Sequence, residues 1–428
     1  MMDEAFCKQQ ANNVQSTIPW LRALQQQGIA ALQRLGFPKR QDEDWRYTAV
    51  DGLLQHAFEP QQPLIAANVS VDHPNHSVPW GQAITVMNGV IEGVETLQAL
   101  LPAGVIVETL HNACQRYPEK VQAYLEQGLH TRHGFHAQNT AMLGLGLFIY
   151  IPEKVKLIDP IVCVHRQTQA GQSSYLRHVI VADAGSELTF IEDYQGDAKT
   201  SYYTNTITEV FAKPQAAITH YKIQRESHLA YHVGHLAIEQ AAESHVKSHV
   251  LSLGARLSRS DICCYLRAPH AYCQLNGIYA PCDQQHMDHH TWIYHQAQAC
   301  ESAQDYKGIL SGKSRAVFNG QVHVEQSGQK TVAKQQNKNL LLSKQAEIDT
   351  KPQLDIAADD VICTHGATVG QLDAEALFYF ATRGIDEQQA TQYLIQAFAA
   401  DNLRAVNHEG LATWMGGLLA QQLRTHYE

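Results

Sequence analysis

The sequence has no apolar run near the ~18 residues that a membrane-spanning helix needs. Its first residues, MMDEAFCKQQ, lack the apolar core of a signal peptide and the arginine-rich, acid-poor character of a transit peptide, so the chain is expected in the cytoplasm. It has no basic tract or arginine-rich stripe, and its formal net charge is −10, which argues against nucleic acid as a partner. HExxH, a GxSxG elbow and a kinase signature are all missing, so no hydrolytic or phosphoryl-transfer centre of those types is indicated. GILSGKS (308–314) has too few residues between its glycines for a phosphate loop and runs into strand pattern where a helix N-terminus is needed. The nine cysteines, at 7, 114, 163, 263, 264, 273, 282, 300 and 363, contain no CxxC. They read as reduced thiols and match neither a ferredoxin nor a zinc ribbon.

What is present is the composition of a globular protein, 44% hydrophobic and 17% charged over 428 residues, enough for two or three structural units. Ser16 or Thr17 is expected to cap a helix with Pro19 in its first turn. Leu21, Leu24, Ala31 and Leu35 would form its apolar stripe, and Gly36 and Pro38 its end. In the charged segment that follows, Trp45 and Tyr47 could pin this helix to its neighbour, although two buried rings in a surface loop are commoner than a binding role. Residues 60 to 80 hold four prolines and read as a linker. A short strand is expected near Ile84 to Val90, then helical pattern from 95 to 145, broken at Pro102 and Pro118.

From there to about 365 the texture is strand after strand: LFIYIP, PIVCVHR, RHVIVAD, LTFIEDY, RAVFNGQVHV and others, with no helix-length pattern between them. A sandwich, a barrel or a stacked β-helix would each produce this pattern. HMDHH (286–290) and HxxxH (245–249) lie in these strand-like stretches, where such spacing keeps side chains apart, and are read as non-ligating. The last sixty residues are helical. Asp373 is expected to cap one helix through Leu377, Phe378 and Tyr379, ended by Gly384. Asp386 with Gln389 should begin another, whose apolar face is Tyr393, Leu394, Ala397 and Phe398. The expected divisions are 1–145, 146–370 and 371–428.

Cys363 and His365 stand two apart on the strand before these helices and so share one face. If Ile362 faces the core, the thiol and imidazole face outward. Both side chains are ligands for zinc, iron or an iron–sulfur cluster, but two donors make only half a tetrahedral site. Taken alone, Cys-x-His is more often structural than ligating.

RAVFNG (315–320), NLLLS (339–343), the block AEIDTKPQLDIAADDVICTHGATVGQLDAEALFYF (346–380) and RGI (383–385) closely resemble the SufB/SufD family, scaffold subunits of the Suf iron–sulfur cluster assembly machinery. DEDWRYT near residue 45 resembles the family's N-terminal signature, and CTHGATVG resembles the SufD branch. The resemblance implies a right-handed parallel β-helix flanked by N-terminal and C-terminal helical regions. It implies a non-catalytic scaffold that pairs with SufB through the β-helix ends and docks a SufC ATPase through its C-terminal helices. His365, with Cys363 beside it, would then lie where a nascent iron–sulfur cluster or iron is held at the SufB interface, with none tightly bound to the isolated chain. Asp373, Leu377, Phe378, Arg383, Gly384 and Ile385 match the SufC-docking segment. FATRGI departs from the family, which usually has a serine before the arginine. An isolated homodimer is compatible with an exposed β-helix end. The alternative from another class is a self-contained metalloenzyme whose histidines and cysteines gather around one metal within the β region.

Overall fold

The computed structural model describes residues 16–61, 83–125 and 127–425. Cys7 and most of the expected linker, from residue 62 to 80, lie outside the described residues.

The helix expected near the N-terminus is α1 (Pro19–Leu35), closed by Gly36 at φ 64°. Its N-cap is Ile18, which has no side-chain cap, and Ser16 Oγ instead accepts from Ile18 N at 3.1 Å. The expected stripe is also displaced: Leu21, Gln25, Gly28 and Leu32 are the buried residues. Gly28 is the reason. A Cβ there would fall 2.4 Å from Ala141 N, so the helix turns its glycine to the neighbouring backbone and Leu24, Ala31 and Leu35 are left half-buried. Then follow a single 3-10 turn (Glu43–Trp45), α2 (Asp51–Leu54), β1 (Glu59–Pro60), β2 (Ala83–Met87), β3 (Val90–Glu92), α3 (Val94–Gln98), β4 (Ile106–Thr109), α4 (Leu110–Arg116), α5 (Pro118–Leu125) and α6 (Gly134–Ala141). Pro118 starts a helix here, in keeping with proline's tolerance in a first turn.

From Leu147 the chain winds as a parallel β-helix. The odd strands β5 (Leu147–Ile151), β7 (Gln172–Ala182), β9 (Tyr203–Ala212), β11 (Tyr231–Gln240), β13 (Leu257–Leu266), β15 (His286–His295), β17 (Arg315–Val324) and β19 (Glu347–Ile356) stack in one sheet, which β4 completes at its start. The even strands β6 (Ile161–Gln167), β8 (Glu187–Gly196), β10 (Ala217–Arg225), β12 (His245–Ser252), β14 (Tyr272–Tyr279), β16 (Glu301–Leu310), β18 (Val332–Leu341) and β20 (Ile362–Gly370) stack in the other, begun by β2 and β3. Each of these two sheets has ten strands. Tyr231, Leu257, His286, Arg315 and Glu347 stand in register one above another at unequal sequence intervals, so the coils repeat in space without a fixed repeat in sequence.

Alternation along each strand sends one row into the lumen between the sheets and one row outward. Ile180, Phe190, Val210, Ile218, Ile262, Leu275 and Phe318 fill the lumen. The outer face of the even sheet, with Val162, Ile191, Ile223, Leu251 and Ile309, packs on Ile395, Ala399, Leu411, Met415 and Leu419 of the C-terminal helices. The outer face of the odd sheet carries the N-terminal helices. Arg259 ties this layer down. Its guanidinium donates to Asp261 (2.6 Å), Asp288 (2.5 Å) and the Asp44 carbonyl (2.8 Å), and lies 4.3 Å from the centroid of the Trp45 ring. Trp45 is thus the buried pin, while Tyr47 is only half-buried. A second anchor is the buried pair of Arg177 Nε and Glu209 at 2.5 Å.

Removing one member of a buried ion pair leaves an uncompensated charge, at about 3–5 kcal/mol. Arg177→Met should lower stability to urea by that amount, and adding Glu209→Leu should recover most of it. Burial also holds His249, His289 and His295 at pKa values of about 4. Each therefore stays neutral in the folded chain while the unfolded chain, near 6.5, takes up a proton. The unfolded state binds more protons throughout that window, so stability is greatest above it and falls as pH drops from about 6.5 toward 4. Urea midpoints measured at pH 7.5, 6 and 5 should decline in that order.

Candidate functional site

Register with the preceding coil decides which way the Cys/His strand faces. Cys363 stands opposite Ala333 and His365 opposite Gln335 on β18. Ala333 and Gln335 belong to the buried, lumen-facing row, whereas Lys334 between them is exposed. Cys363 and His365 therefore continue the lumen row, and Ile362 points outward, 65% exposed. The condition that would have turned the pair outward, Ile362 facing the core, is therefore not met. One apolar side chain cannot turn a strand whose backbone is already paired in register.

The lumen row is nonetheless open at this point, because β19 and β20 are the last strands of their sheets and, among the described residues, no strand pairs with their outer edges. His365 is exposed. Cys363 is half covered by the apolar group of Val322, Val324, Ala333 and Ala358, and burial pushes its thiol above the usual range. Beneath His365, the Gln335 side chain is buried with neither its oxygen nor its nitrogen hydrogen-bonded. Two soft donors, an unsatisfied amide and two unpaired strand edges thus coincide at one end of the β-helix. Such a surface can accept a further coil of backbone and share a metal with it.

The strand leads through Gln371 and Leu372 into α7 (Ala374–Thr382), with Asp373 accepting from Glu375 N at 3.0 Å as its cap. None of the residues of α7 is buried. Phe378 is 71% exposed and Tyr379 is 57% exposed, while Leu377 is half-buried. Arg383 lies 5.2 Å from the centroid of the Tyr379 ring, Gly384 takes φ 78°, and Ile385 N donates to Phe380 O at 3.1 Å. These residues form one apolar helix surface of their own. At ~3.3 Å per residue, His365 lies roughly 16 Å before the strand's end, so the helix surface and the Cys/His pair are separate features.

The chain continues into α8 (Glu387–Leu403) and α9 (Glu409–Thr425). Asp386 accepts from Gln389 N at 2.8 Å, as the spacing predicts. The buried face of α8 is Ala390, Thr391, Ile395, Ala399 and Asn402, with Tyr393 50% exposed. The expected face of Tyr393, Leu394, Ala397 and Phe398 is therefore rotated. Small residues let the helix lie close on the sheet, where Asn402 donates to Asp305 O at 2.7 Å and Lys307 Nζ donates to Phe398 O at 2.6 Å.

HMDHH splits across its strand, with His289 stacked on Tyr279 in the lumen and His290 paired with Asp288 on the outer face. Sequence spacing missed two groups that the fold brings together: His133 and His136 at the start of α6 with Asp261 of β13, and Cys163 and His165 of β6 with His178 of β7. Two pairs within them carry a local signal: His133-x-x-His136, and Cys163-x-His165, which has the same spacing as Cys363-x-His365. A cleft of about 730 Å³ on the odd face is lined by Trp45, Arg132, Arg259, Trp292 and Tyr294 and includes none of the expected site residues.

Residues 165–398 match the family described as SUF system FeS cluster assembly, SufBD core domain, and residues 3–163 match the SufBD protein N-terminal region. The chain is 32% identical to the iron–sulfur cluster assembly protein SufD of Escherichia coli, covering 93% of this chain and 92% of that protein. It is 29% identical to an iron–sulfur cluster assembly SufBD family protein of Synechocystis (88% and 86% covered), and 23% identical to SufD of Bacillus subtilis (95% and 94% covered). A β-helix with this open end, matched along nearly its whole length, places the chain in the SufBD family of iron–sulfur cluster assembly proteins.

Proposed function

We propose that this chain is a non-catalytic scaffold subunit that pairs with SufB through the open end of its β-helix and docks a SufC ATPase on α7. The observation that carries this reading is the uncapped last coil. Its lumen row ends in Cys363 and His365, two donors of a set that needs more, beside sheet edges that a homologous β-helix would complete. A nascent cluster or iron would be shared across that joint, as cargo, with the remaining ligands on SufB. ATP hydrolysis would come from SufC, since no phosphate loop exists in this sequence. Closure of the ATPases, felt through the C-terminal helices that pack on the even sheet, would strain the joint and expose it to iron and sulfide.

Loss of one ligand typically lowers occupancy of such a site by about tenfold or more. Co-purified with SufB and SufC and reconstituted anaerobically, the His365→Ala chain should assemble normally yet give at most about a tenth of the wild-type cluster absorption. Equal absorption would make His365 a bystander. Phe378, as an exposed aromatic anchor, is expected to carry about 2 kcal/mol of SufC binding, roughly thirtyfold in Kd. Phe378→Ala should show that loss by calorimetry with isolated SufC while the thermal midpoint of the chain stays unchanged, because the ring buries little within its own fold.

A further inference from the structure

A second Cys-x-His pair lies deep inside the β-helix. Cys163 and His165 share the lumen face of β6, and His178 enters the lumen from β7 in the opposite sheet. One ligand atom from each lies within 4.8 Å of the others. All three residues are buried, with exposures of 0%, 3% and 0%. Neither ring nitrogen of His165 or of His178 has a hydrogen-bond partner. The rings lie 5.1 Å apart by centroid, and His165 is held in place by stacking on Tyr194 at 4.4 Å and 13°.

An unsatisfied buried polar atom destabilises the fold, so two adjacent imidazoles with no partner at either nitrogen are a costly arrangement unless something else occupies the space between them. A cation relieves one nitrogen on each ring and recruits the thiol as thiolate. The donor set of one sulfur and two imidazoles is borderline-soft and suits zinc or ferrous iron over magnesium or calcium. Bond lengths near 2.0–2.3 Å place tetrahedral donors roughly 3.3–3.6 Å apart, so the ion would draw the three atoms together by about 1 Å. The fourth position falls to water, since the buried Glu192, opposite Cys163 in register, already accepts from Thr208 and Tyr194.

The other two groups of potential ligands are weaker. His133 already bonds Asp261 at 3.1 Å, and Asp261 is held by Arg259. The Cys282 thiol beside His228 is engaged by Gln285 and Gln422.

We propose that Cys163, His165 and His178 form a resident site for one divalent cation of the zinc or ferrous class, bridging the two sheets across the lumen and distinct from the open end. Because the lumen is closed there, the ion loads as the chain folds, so the site stabilises the first coils when filled.

The test is to express the full chain in media supplemented separately with zinc, ferrous iron under anaerobic conditions, and cobalt. Metal content is then measured by mass spectrometry after dialysis against chelator. One retained equivalent per chain is expected, and which of zinc or iron is retained assigns the ion. The cobalt form should show intense near-ultraviolet thiolate-to-cobalt absorption. Cys163→Ser should abolish that absorption and His178→Gln should lower occupancy by about tenfold or more, whereas the double variant Cys363→Ser/His365→Ala should keep both. A folded wild-type chain that retains no metal from any medium overturns the proposal. So does thiolate absorption that survives Cys163→Ser or disappears with Cys363→Ser/His365→Ala. The latter comparison stands even where the Cys163 variant fails to fold.

Discussion

Parallel stacking in register is the constraint on which this molecule depends. Each coil satisfies the backbone donors and acceptors of the one before it, and in doing so transfers its own unsatisfied edge to the next. At the start, β4 pairs antiparallel with β5 in one sheet, and in the other β2 pairs parallel with β6 and is followed by an antiparallel β3. At the far end, among the described residues, no strand follows β19 and β20 in their sheets. The exposed row at Cys363 and His365 is therefore a consequence of architecture, since the same residues one coil earlier would be buried like Ala333 and Gln335.

That constraint also explains what could be read from sequence. Period-two alternation and the run of strands without helices between them were legible, as were local chemical signals: the Asp373 and Asp386 caps, the Gly36 stop, and the presence of a Cys/His pair on one strand face. Orientation was not. Ile362 looks like a core residue, but its direction is inherited from Val332 and the rows beneath it, which no local window contains. The same holds for α1 and α8. Gly28 and Ala399 are unremarkable in a hydrophobic pattern, yet both lie on the buried face, Gly28 where a Cβ would meet the backbone of Ala141 and Ala399 among the residues packed on the even sheet. Unequal coil lengths hid the repeat, because register is kept in space while the loops between strands absorb the differences.

A lumen so long cannot be filled by aliphatic side chains alone. Polar clusters interrupt it, and several are bonded internally: Glu226 accepts from Thr204 at 2.7 Å and pairs with His232 at 2.6 Å, and Asn337 reaches Tyr279 at 3.0 Å. In a low dielectric such bonds fix one arrangement and penalise slippage of a coil, which would separate every pair at once. Others lack a partner: His165 and His178 at one Cys-x-His pair and Gln335 beneath the other, but also His289 and Tyr306 elsewhere in the lumen. What sets the two Cys-x-His places apart is the thiol beside the imidazole.

These two places differ in the properties that decide whether a bound metal stays or leaves. Three donors on two sheets, closed off from water, give a site whose ion cannot depart without the coils separating, which suits permanence. Two donors on the last strand, one of them exposed, are too few to hold an ion by themselves, and under the proposed pairing they would gain the remaining ligands only when a partner's edge completes the sheet. A small rotation of that partner would then remove ligands and shielding together, coupling release to geometry without any change in the ligands on this chain. If the open end serves cluster assembly as proposed, an incomplete site at a separable joint is the arrangement that would permit transfer, and a complete one in the same position would prevent it.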